Sequence, residues 1–140
     1  MSKHLLLNLP RGLNLYIPGA YILTSLDLHE KCREANTIGE DNSVLISIEG
    51  EKRGRPGFSV STYKYCPWLS KKLSSCIIGR AQIHGIFVNL PPSPGQTSWE
   101  TWNTILKGTK MPSIIIHIPE NIDSLSDIIR EGVEDYYTKT

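Results

Sequence analysis

The middle of the chain lacks acidic residues. Residues 52–99 contain no Asp or Glu, although the whole sequence has 14 of them. The stretch holds seven basic residues, whereas residues 1–51 and residues 100–140 each carry four basic and seven acidic groups. The seven are Lys52, Arg53, Arg55, Lys64, Lys71, Lys72 and Arg80. Since a like-charged segment repels itself and adds no core, this uneven placement indicates a binding partner rather than a requirement of the fold.

Long apolar runs and regularly spaced cysteines are also missing. No apolar run approaches the roughly 20 residues needed to cross a bilayer, and the first residues lack the cleavage site of a signal peptide. Cys32, Cys66 and Cys76 are odd in number and irregularly spaced, which predicts free thiols in a reducing compartment. With 39% hydrophobic and 21% charged residues, the chain fits one globular domain over residues 1–140 rather than a disordered protein.

Alternating apolar residues predict antiparallel strands in the first half of the chain. The apolar runs at 4–9 and 13–17 are separated by a turn signal, which predicts a hairpin or two edge strands. Residues 44–48 and 58–65 alternate in the same way and predict a second hairpin, whose glycine-rich basic tip is residues 49–57. We therefore expect a mainly antiparallel sheet.

The second half adds two further strand regions. Residues 76–90 are interpreted as strand-rich, with Gly79 and Gly85 at bulges. The run of isoleucines within residues 112–118 predicts a buried strand.

Helices are predicted in three places. The spacing of Leu28, Cys32 and Ala35 predicts a short helix that follows a strand, ends near residue 36 and has Ser25 as a possible N-cap. A second helix is capped by Ser98 and ends at Gly108, and residues 122–137 form an amphipathic helix. The predicted fold class is α+β: one domain dominated by antiparallel, sandwich-like sheet, with two or three short helices and a C-terminal amphipathic helix.

Two histidines within apolar runs are the main candidates for catalysis. His84 and His117 resemble the pair of the paired-histidine phosphoesterases, which place Thr or Ser two residues after each His. Ile86 and Pro119 occupy those positions here. We therefore expect structural histidines, no catalytic residue and no catalysis that depends on them, and keep a phosphodiesterase as the third functional hypothesis. No histidines or cysteines stand at ligand spacing, so the sequence predicts neither a metal nor a cofactor.

The basic loop resembles a DNA-binding motif. Residues 53–56, Arg-Gly-Arg-Pro, match the core of an AT-hook, in which arginines enter the narrow minor groove of A·T-rich DNA. This favours, as an alternative function, a nucleic-acid-binding domain that uses a hairpin loop. A solvated turn explains the same residues.

Aromatic residues are interleaved with the basic ones. Tyr63, Tyr65 and Trp68 lie among Lys64, Lys71 and Lys72. This mixture suits the stacking of unpaired bases beside neutralised phosphates, and it equally suits an anionic membrane surface. A core position for Tyr63 and Trp68 is the remaining explanation. The predicted binding residues for nucleic acid or lipid are these three aromatics with the seven basic residues.

The order of elements resembles a viral family. The matching residues are Ser2-Lys3-His4, then Pro18-Gly19 before an apolar strand that ends in Leu26-Asp27. The closing pattern of apolar strand, polar link and amphipathic helix ending in Asp135-Tyr136-Tyr137 also matches. In these features the chain resembles the matrix proteins of bornaviruses and, more loosely, one half of the filovirus matrix proteins.

This resemblance implies a non-enzymatic structural protein of the virion. Such a protein forms homo-oligomers and binds RNA or another polyanion and the anionic inner face of a membrane. The implied location is intracellular and peripheral to that membrane. A sheet-rich domain also has edges to cover, which agrees with self-association.

Overall fold

A five-stranded sheet lies at the centre of the computed structural model, which describes residues 4–50, 58–62, 68–89, 102–119 and 122–138. The strands are β1 (Leu5–Asn8), β2 (Tyr21–Ile22), β3 (Val44–Gly50), β4 (Ser59–Ser61) and β5 (Ser113–Ile118). The helices are α1 (Leu28–Ile38), α2 (Trp68–Ile83) and α3 (Leu125–Thr138), with a π-helical segment at Trp102–Leu106. The spatial order is β2-β1-β3-β5-β4. Strands β2, β1, β3 and β5 run parallel to one another, and β4 runs antiparallel to β5.

One face of this sheet is apolar along its whole length. The strands β3 and β5 are almost continuous apolar runs, as expected for parallel strands with both faces covered. Helices α2 and α3 pack on this apolar face and contact each other. Its residues are Leu5, Leu7, Val44, Ile46, Ile48, Val60, Ile114, Ile116 and Ile118. This packing forms the larger core.

The opposite face, called the mixed face, changes character along the strands. Near the amino ends of β1 and β3, Leu6 and Leu45 form a smaller core with α1 and the π-helical segment. Near the carboxyl ends the side chains become polar. Cross-strand pairing places Asn8 beside Ser47, and Glu49 beside His117. Polar groups therefore gather at one end of one face.

Neither predicted hairpin forms. Strand β1 pairs in parallel with β2 and β3, and residues 13–17 are not a strand. Strands β3 and β4 are separated by β5. The predictions were wrong because alternating residues show which segments are extended but not which segments pair, and pairing is set by the tertiary fold.

The strand predicted at 76–90 is also wrong, because α2 spans most of it. Leu73, Ile77 and Ala81 are fully buried at a spacing of four residues, which is the helical period. The adjacent β-branched residues obscured this period. Gly79 lies inside the helix, and Gly85 has a φ of 80° in the turn that follows it, so neither is a bulge.

The remaining elements agree better with the predictions. The strands expected at 44–48 and 112–118 and the helix expected at 122–137 are confirmed as β3, β5 and α3. Helix α1 is capped by Asp27, whose side chain accepts hydrogen bonds from two backbone amides, and not by Ser25. Ser98 lies outside the described residues. The chain thus combines α and β structure as expected, but its sheet is mainly parallel and is not an antiparallel sandwich.

Candidate active site

A serine, a histidine and a glutamate meet at the carboxyl end of the mixed face. The Ser61 hydroxyl oxygen lies 3.0 Å from Nε2 of His117. On the other side of the same ring, Nδ1 of His117 lies 3.8 Å from the Glu49 carboxylate. A base held between a hydroxyl and a carboxylate is the arrangement that activates a serine nucleophile. The second distance is that of an ion pair, and it falls to a hydrogen bond if the carboxylate closes by under about 1 Å.

Three neighbouring strands position these side chains. Glu49 of β3 pairs with His117 of β5, so the two side chains lie on one face at adjacent strands. Strand β4 enters from the other side of β5, and its pairing sets Ser59 opposite His117 and Ser61 opposite Ile115. Ser61 therefore reaches the ring diagonally. This diagonal places the hydroxyl on Nε2 and leaves Nδ1 toward Glu49.

The three side chains differ in solvent exposure. The His117 side chain is only 2% exposed, whereas the Glu49 side chain is 20% exposed and Ser61 is half-buried. The electrostatic interaction between the buried imidazole and the neighbouring carboxylate is strong, because charges interact more strongly where water is excluded. The base is therefore shielded while the hydroxyl remains partly accessible.

A second polar chain borders this group on β1 and β3. The Lys31 ammonium of α1 donates a 2.6 Å hydrogen bond to the Asn8 side-chain carbonyl. The Asn8 amide in turn donates to the Ser47 hydroxyl at 2.8 Å. Asn8 and Ser47 are buried, and burial lowers the pKa of Lys31, an effect that the nearby Glu34 partly offsets.

A cavity opens at the same carboxyl edge. Its volume is about 270 Å³, and it is lined by residues 10–13, Gly50, Ile118 and Pro119. Gly50 and Ile118 directly follow Glu49 and His117 in their strands. Ligands of open α/β sheets bind outside the carboxyl ends of the strands, which is where this cavity lies.

Metal ligation needs more donors than the described site supplies. Glu49 and His117 are two ligand types that metals accept. Within residues 4–50, 58–62, 68–89, 102–119 and 122–138, no three His, Cys, Asp or Glu side chains are grouped to hold a metal ion. The described residues alone therefore do not fit a three-ligand metal centre.

Six of the ten predicted binding residues belong to segments other than those that the structure describes. Lys52, Arg53, Arg55, Tyr63, Lys64 and Tyr65 lie outside the described residues, and so does the Arg-Gly-Arg-Pro motif. The binding role predicted for them stays a prediction.

The other four predicted residues lie on α2. Trp68 is 66% exposed, so it is not a core residue, and the Lys72 ammonium lies 5.9 Å from its ring centroid. Lys71 is exposed. Arg80 instead forms a two-point contact with Asp135, at 2.6 and 2.9 Å. Helix α2 covers the apolar face, so none of these four belongs to the serine–histidine–glutamate group.

The two histidines have different environments. His84 is not in a strand; it follows α2, and its Nε2 lies 2.9 Å from the Glu131 carboxylate on α3. His117 lies in a strand as expected, but beside a serine and a glutamate. A pair formed by the two histidines, as in a phosphodiesterase, is therefore not present.

Neither Ser61 nor Glu49 was predicted from the sequence. The phosphoesterase pattern places a hydroxyl two residues after each histidine, whereas Ser61 is 56 residues from His117 in sequence and is brought to it by strand pairing. Glu49 could have been noticed, because it is a carboxylate within a mainly apolar strand, as His117 is a histidine within one. Nothing local marks Ser61.

Comparisons with known proteins show the fold of bacterial and phage hydrolases. The chain is similar to an N-acetylmuramoyl-L-alanine amidase from Clostridium difficile 630, with 17% identity, a TM-score of 0.66 and 98% of each chain covered. It is similar to the apo form of the amidase Ami1 from Mycobacterium abscessus, with 10% identity, a TM-score of 0.69 and coverage of 99% and 100%. It is also similar to a bacteriophage poly-γ-glutamate hydrolase, with 11% identity, a TM-score of 0.61 and coverage of 97% and 86%. No protein-family model and no curated protein matches the chain.

These matches overturn the viral interpretation. The resemblance to bornavirus matrix proteins is wrong, because the chain has the fold of hydrolytic enzymes. The non-enzymatic structural role and the nucleic-acid-binding alternative are wrong for the same reason. So are the predicted partners, which were other copies of the chain, RNA and an anionic membrane. The membrane-peripheral location rests on the same resemblance and stays a prediction. None of the described helices is long and apolar enough to span a bilayer.

Proposed function

We propose that the chain is a hydrolase of amide bonds, with Ser61 as nucleophile and His117 as general base. The contact of 3.0 Å between Ser61 Oγ and His117 Nε2 carries this proposal. The fold supports it, because the similar structures are an amidase, a second amidase and a hydrolase of poly-γ-glutamate, whose residues are joined by amides. Amide bonds in a bacterial polymer, peptidoglycan or polyglutamate, are therefore the substrate class.

The first half of the reaction uses the Ser61–His117 contact. As Oγ of Ser61 attacks the amide carbonyl carbon, Nε2 of His117 accepts the hydroxyl proton. The same nitrogen then returns that proton to the departing amine as the carbon–nitrogen bond breaks. An ester between Ser61 and the acyl part of the substrate remains.

The second half restores the enzyme. A water molecule gives its proton to Nε2 of His117 and attacks the ester carbonyl. The carbon–oxygen bond to Ser61 breaks, the proton returns to Oγ, and the product leaves as a carboxylic acid. No other reactant is needed.

Glu49 positions the base and compensates its charge. Its carboxylate faces Nδ1 of His117, so it favours the tautomer with hydrogen on Nδ1 and a free electron pair on Nε2. It also stabilises the imidazolium that forms in each half. Because the His117 ring is 98% buried and Glu49 is only 20% exposed, water screens this compensation weakly.

A paired mutant series tests the assignment. Hydrolysis of purified peptidoglycan and of poly-γ-glutamate is measured as the release of new amines. Ser61→Ala and His117→Ala should each lower the rate by about 10³-fold or more. His84→Ala and Ser75→Ala are matched controls on exposed residues of the same types, and they should keep the parental rate.

A covalent probe reports on the nucleophile without a known substrate. A fluorophosphonate should label Ser61, as located by mass spectrometry, and His117→Ala should prevent labelling. Hydrolysis that survives Ser61→Ala but stops with a chelator would contradict the serine assignment. The absence of both labelling and hydrolysis in the parent protein would remove the proposed function altogether.

A further inference from the structure

Lys31 and Asn8 lie in one row with the proposed nucleophile. Strand pairing joins Asn8 to Ser47, Ser47 to Ile115 and Ile115 to Ser61 on the mixed face. Three strand spacings of about 4.8 Å separate the ends of this row, roughly 14 Å in total. An extended α-linked peptide covers that distance with about four residues. A γ-linked glutamate chain covers it with fewer, because each of its residues contributes five chain atoms instead of three.

The ends of the row differ from its middle. Ser47 and Ile115 are fully buried, whereas Lys31 and Ser61 are both half-buried. A ligand that contacts Lys31 and Ser61 therefore passes over the two buried residues between them and does not touch them.

Among the described residues, the hydrogen-bond partner of the Lys31 ammonium is the neutral Asn8 side chain. Its ammonium donates to the Asn8 carbonyl, and within the described ranges it forms no ion pair with a carboxylate. Glu34, one helical turn further along α1, is the nearby acidic residue, but its carboxylate accepts hydrogen bonds from Thr24, Ser25 and Tyr21. A cation with donor capacity left over suits an anionic group from outside.

We infer that Lys31, held by Asn8, binds a carboxylate of the polymer that lies roughly 14 Å along the sheet from the bond that Ser61 cleaves. This inference rests on the proposed function and specifies its substrate as an amide polymer with free carboxylates. Asn8 fixes the ammonium in place, and Ser47 fixes the Asn8 amide, so that the bound carboxylate sets the register of the chain over Ser61. Lys31 is thus a specificity residue and not a catalytic one.

Binding to a defined probe tests this without turnover. The probe is an oligo-γ-glutamate of eight residues or so, with free α-carboxylates or with all of them converted to carboxamides. Titrations use the Ser61→Ala protein. Lys31→Met should weaken binding of the free-acid oligomer about tenfold, equivalent to about 1.4 kcal/mol, and leave the carboxamide oligomer unaffected.

Two further variants separate charge from structure. Lys31→Gln keeps a donor for Asn8 but removes the charge, so it should match Lys31→Met in binding while preserving the melting temperature. Lys110→Met removes an exposed lysine elsewhere and should bind as the parent does. In the active protein, Lys31→Gln should raise KM for the free-acid oligomer with little change in kcat.

The outcomes keep the two proposals apart. Equal affinity of Lys31→Gln and its parent for the free-acid oligomer would overturn the Lys31 inference, even if Ser61 proves to be the nucleophile. Loss of the preference for the free acid in Lys31→Gln would support it, even if the parent hydrolyses neither polymer.

Discussion

The two faces of the sheet are built for different purposes. The apolar face carries only aliphatic side chains on its strands and is sealed by α2 and α3. The mixed face has a small core near the amino ends of the strands, but toward the carboxyl ends it buries Asn8, Ser47, Ser59 and His117. Buried polar groups stabilise a fold less than well-packed apolar ones. Stability therefore resides on one face, and the candidate chemistry on the other.

Adjacent residues of β5 give the largest separation of these roles. Ile116 is fully buried on the apolar face, and His117 follows it on the mixed face. Ile116→Ala leaves a cavity and should lower the free energy of unfolding by about 2–5 kcal/mol. His117→Ala should stop hydrolysis with a smaller loss of stability. Urea denaturation of both variants checks this, and a larger stability loss for His117→Ala would contradict the division.

A pair of glycines tests how closely the helices pack on the apolar face. A Cβ added at Gly132 of α3 would lie 2.6 Å from Cδ1 and 3.1 Å from Cα of Ile77. The Ile77 side chain must therefore turn away, and the backbone of α2 must give by a few tenths of an ångström. Gly132→Ala should destabilise by about 1–3 kcal/mol despite its better helix propensity. At Gly79 of α2, nothing lies within 4 Å of an added Cβ.

The Gly79 variant is the matched control. Gly79→Ala should stabilise by about 0.5–1 kcal/mol, because alanine has less conformational freedom to lose in a helix. Thermal unfolding of both variants should therefore shift in opposite directions. If Gly132→Ala raised the melting temperature as Gly79→Ala does, α2 and α3 would not be in close contact at Gly132.

Sequence patterns predicted the elements of the apolar face better than those of the mixed face, with α2 as the exception. The isoleucine run of β5 and the periodicity of α3 were sufficient, because burial on the apolar face imposes a local pattern. Helix α2 was misread since its β-branched residues at 77 and 78 favour strands locally, and packing against α3 overrides that preference.

The candidate site could be predicted only in part. His117 stood out as a histidine in an apolar run, but its partners depend on the strand order β3-β5-β4. Nothing in the neighbouring sequence specifies that β5 lies between β3 and β4. The charge asymmetry drew attention to the basic residues of 52–99 instead, and the three that the structure describes lie on α2, away from His117.

The smallest predicted effect concerns how α1 is held to the mixed face. Partial burial raises the pKa of Glu34, but hydrogen bonds from the backbone of Ser25 and Thr24 and the hydroxyl of Tyr21 lower it more, to about 2. Since the folded pKa lies below the ordinary 4.5, Glu34 stabilises the fold above that value and loses this contribution as pH falls through about 2.

Glu34→Gln should therefore cost about 1–2 kcal/mol at neutral pH, and the difference should shrink on acidification. Glu30→Gln is the control on the same helix. The contact of the Glu30 carboxylate among the described residues is an exposed ion pair with Arg33, and its loss should cost under about 1 kcal/mol. Urea midpoints measured from neutral to acidic pH decide the matter, and a Glu34→Gln deficit that is the same at every pH would show that the charge of Glu34 does not hold α1 in place.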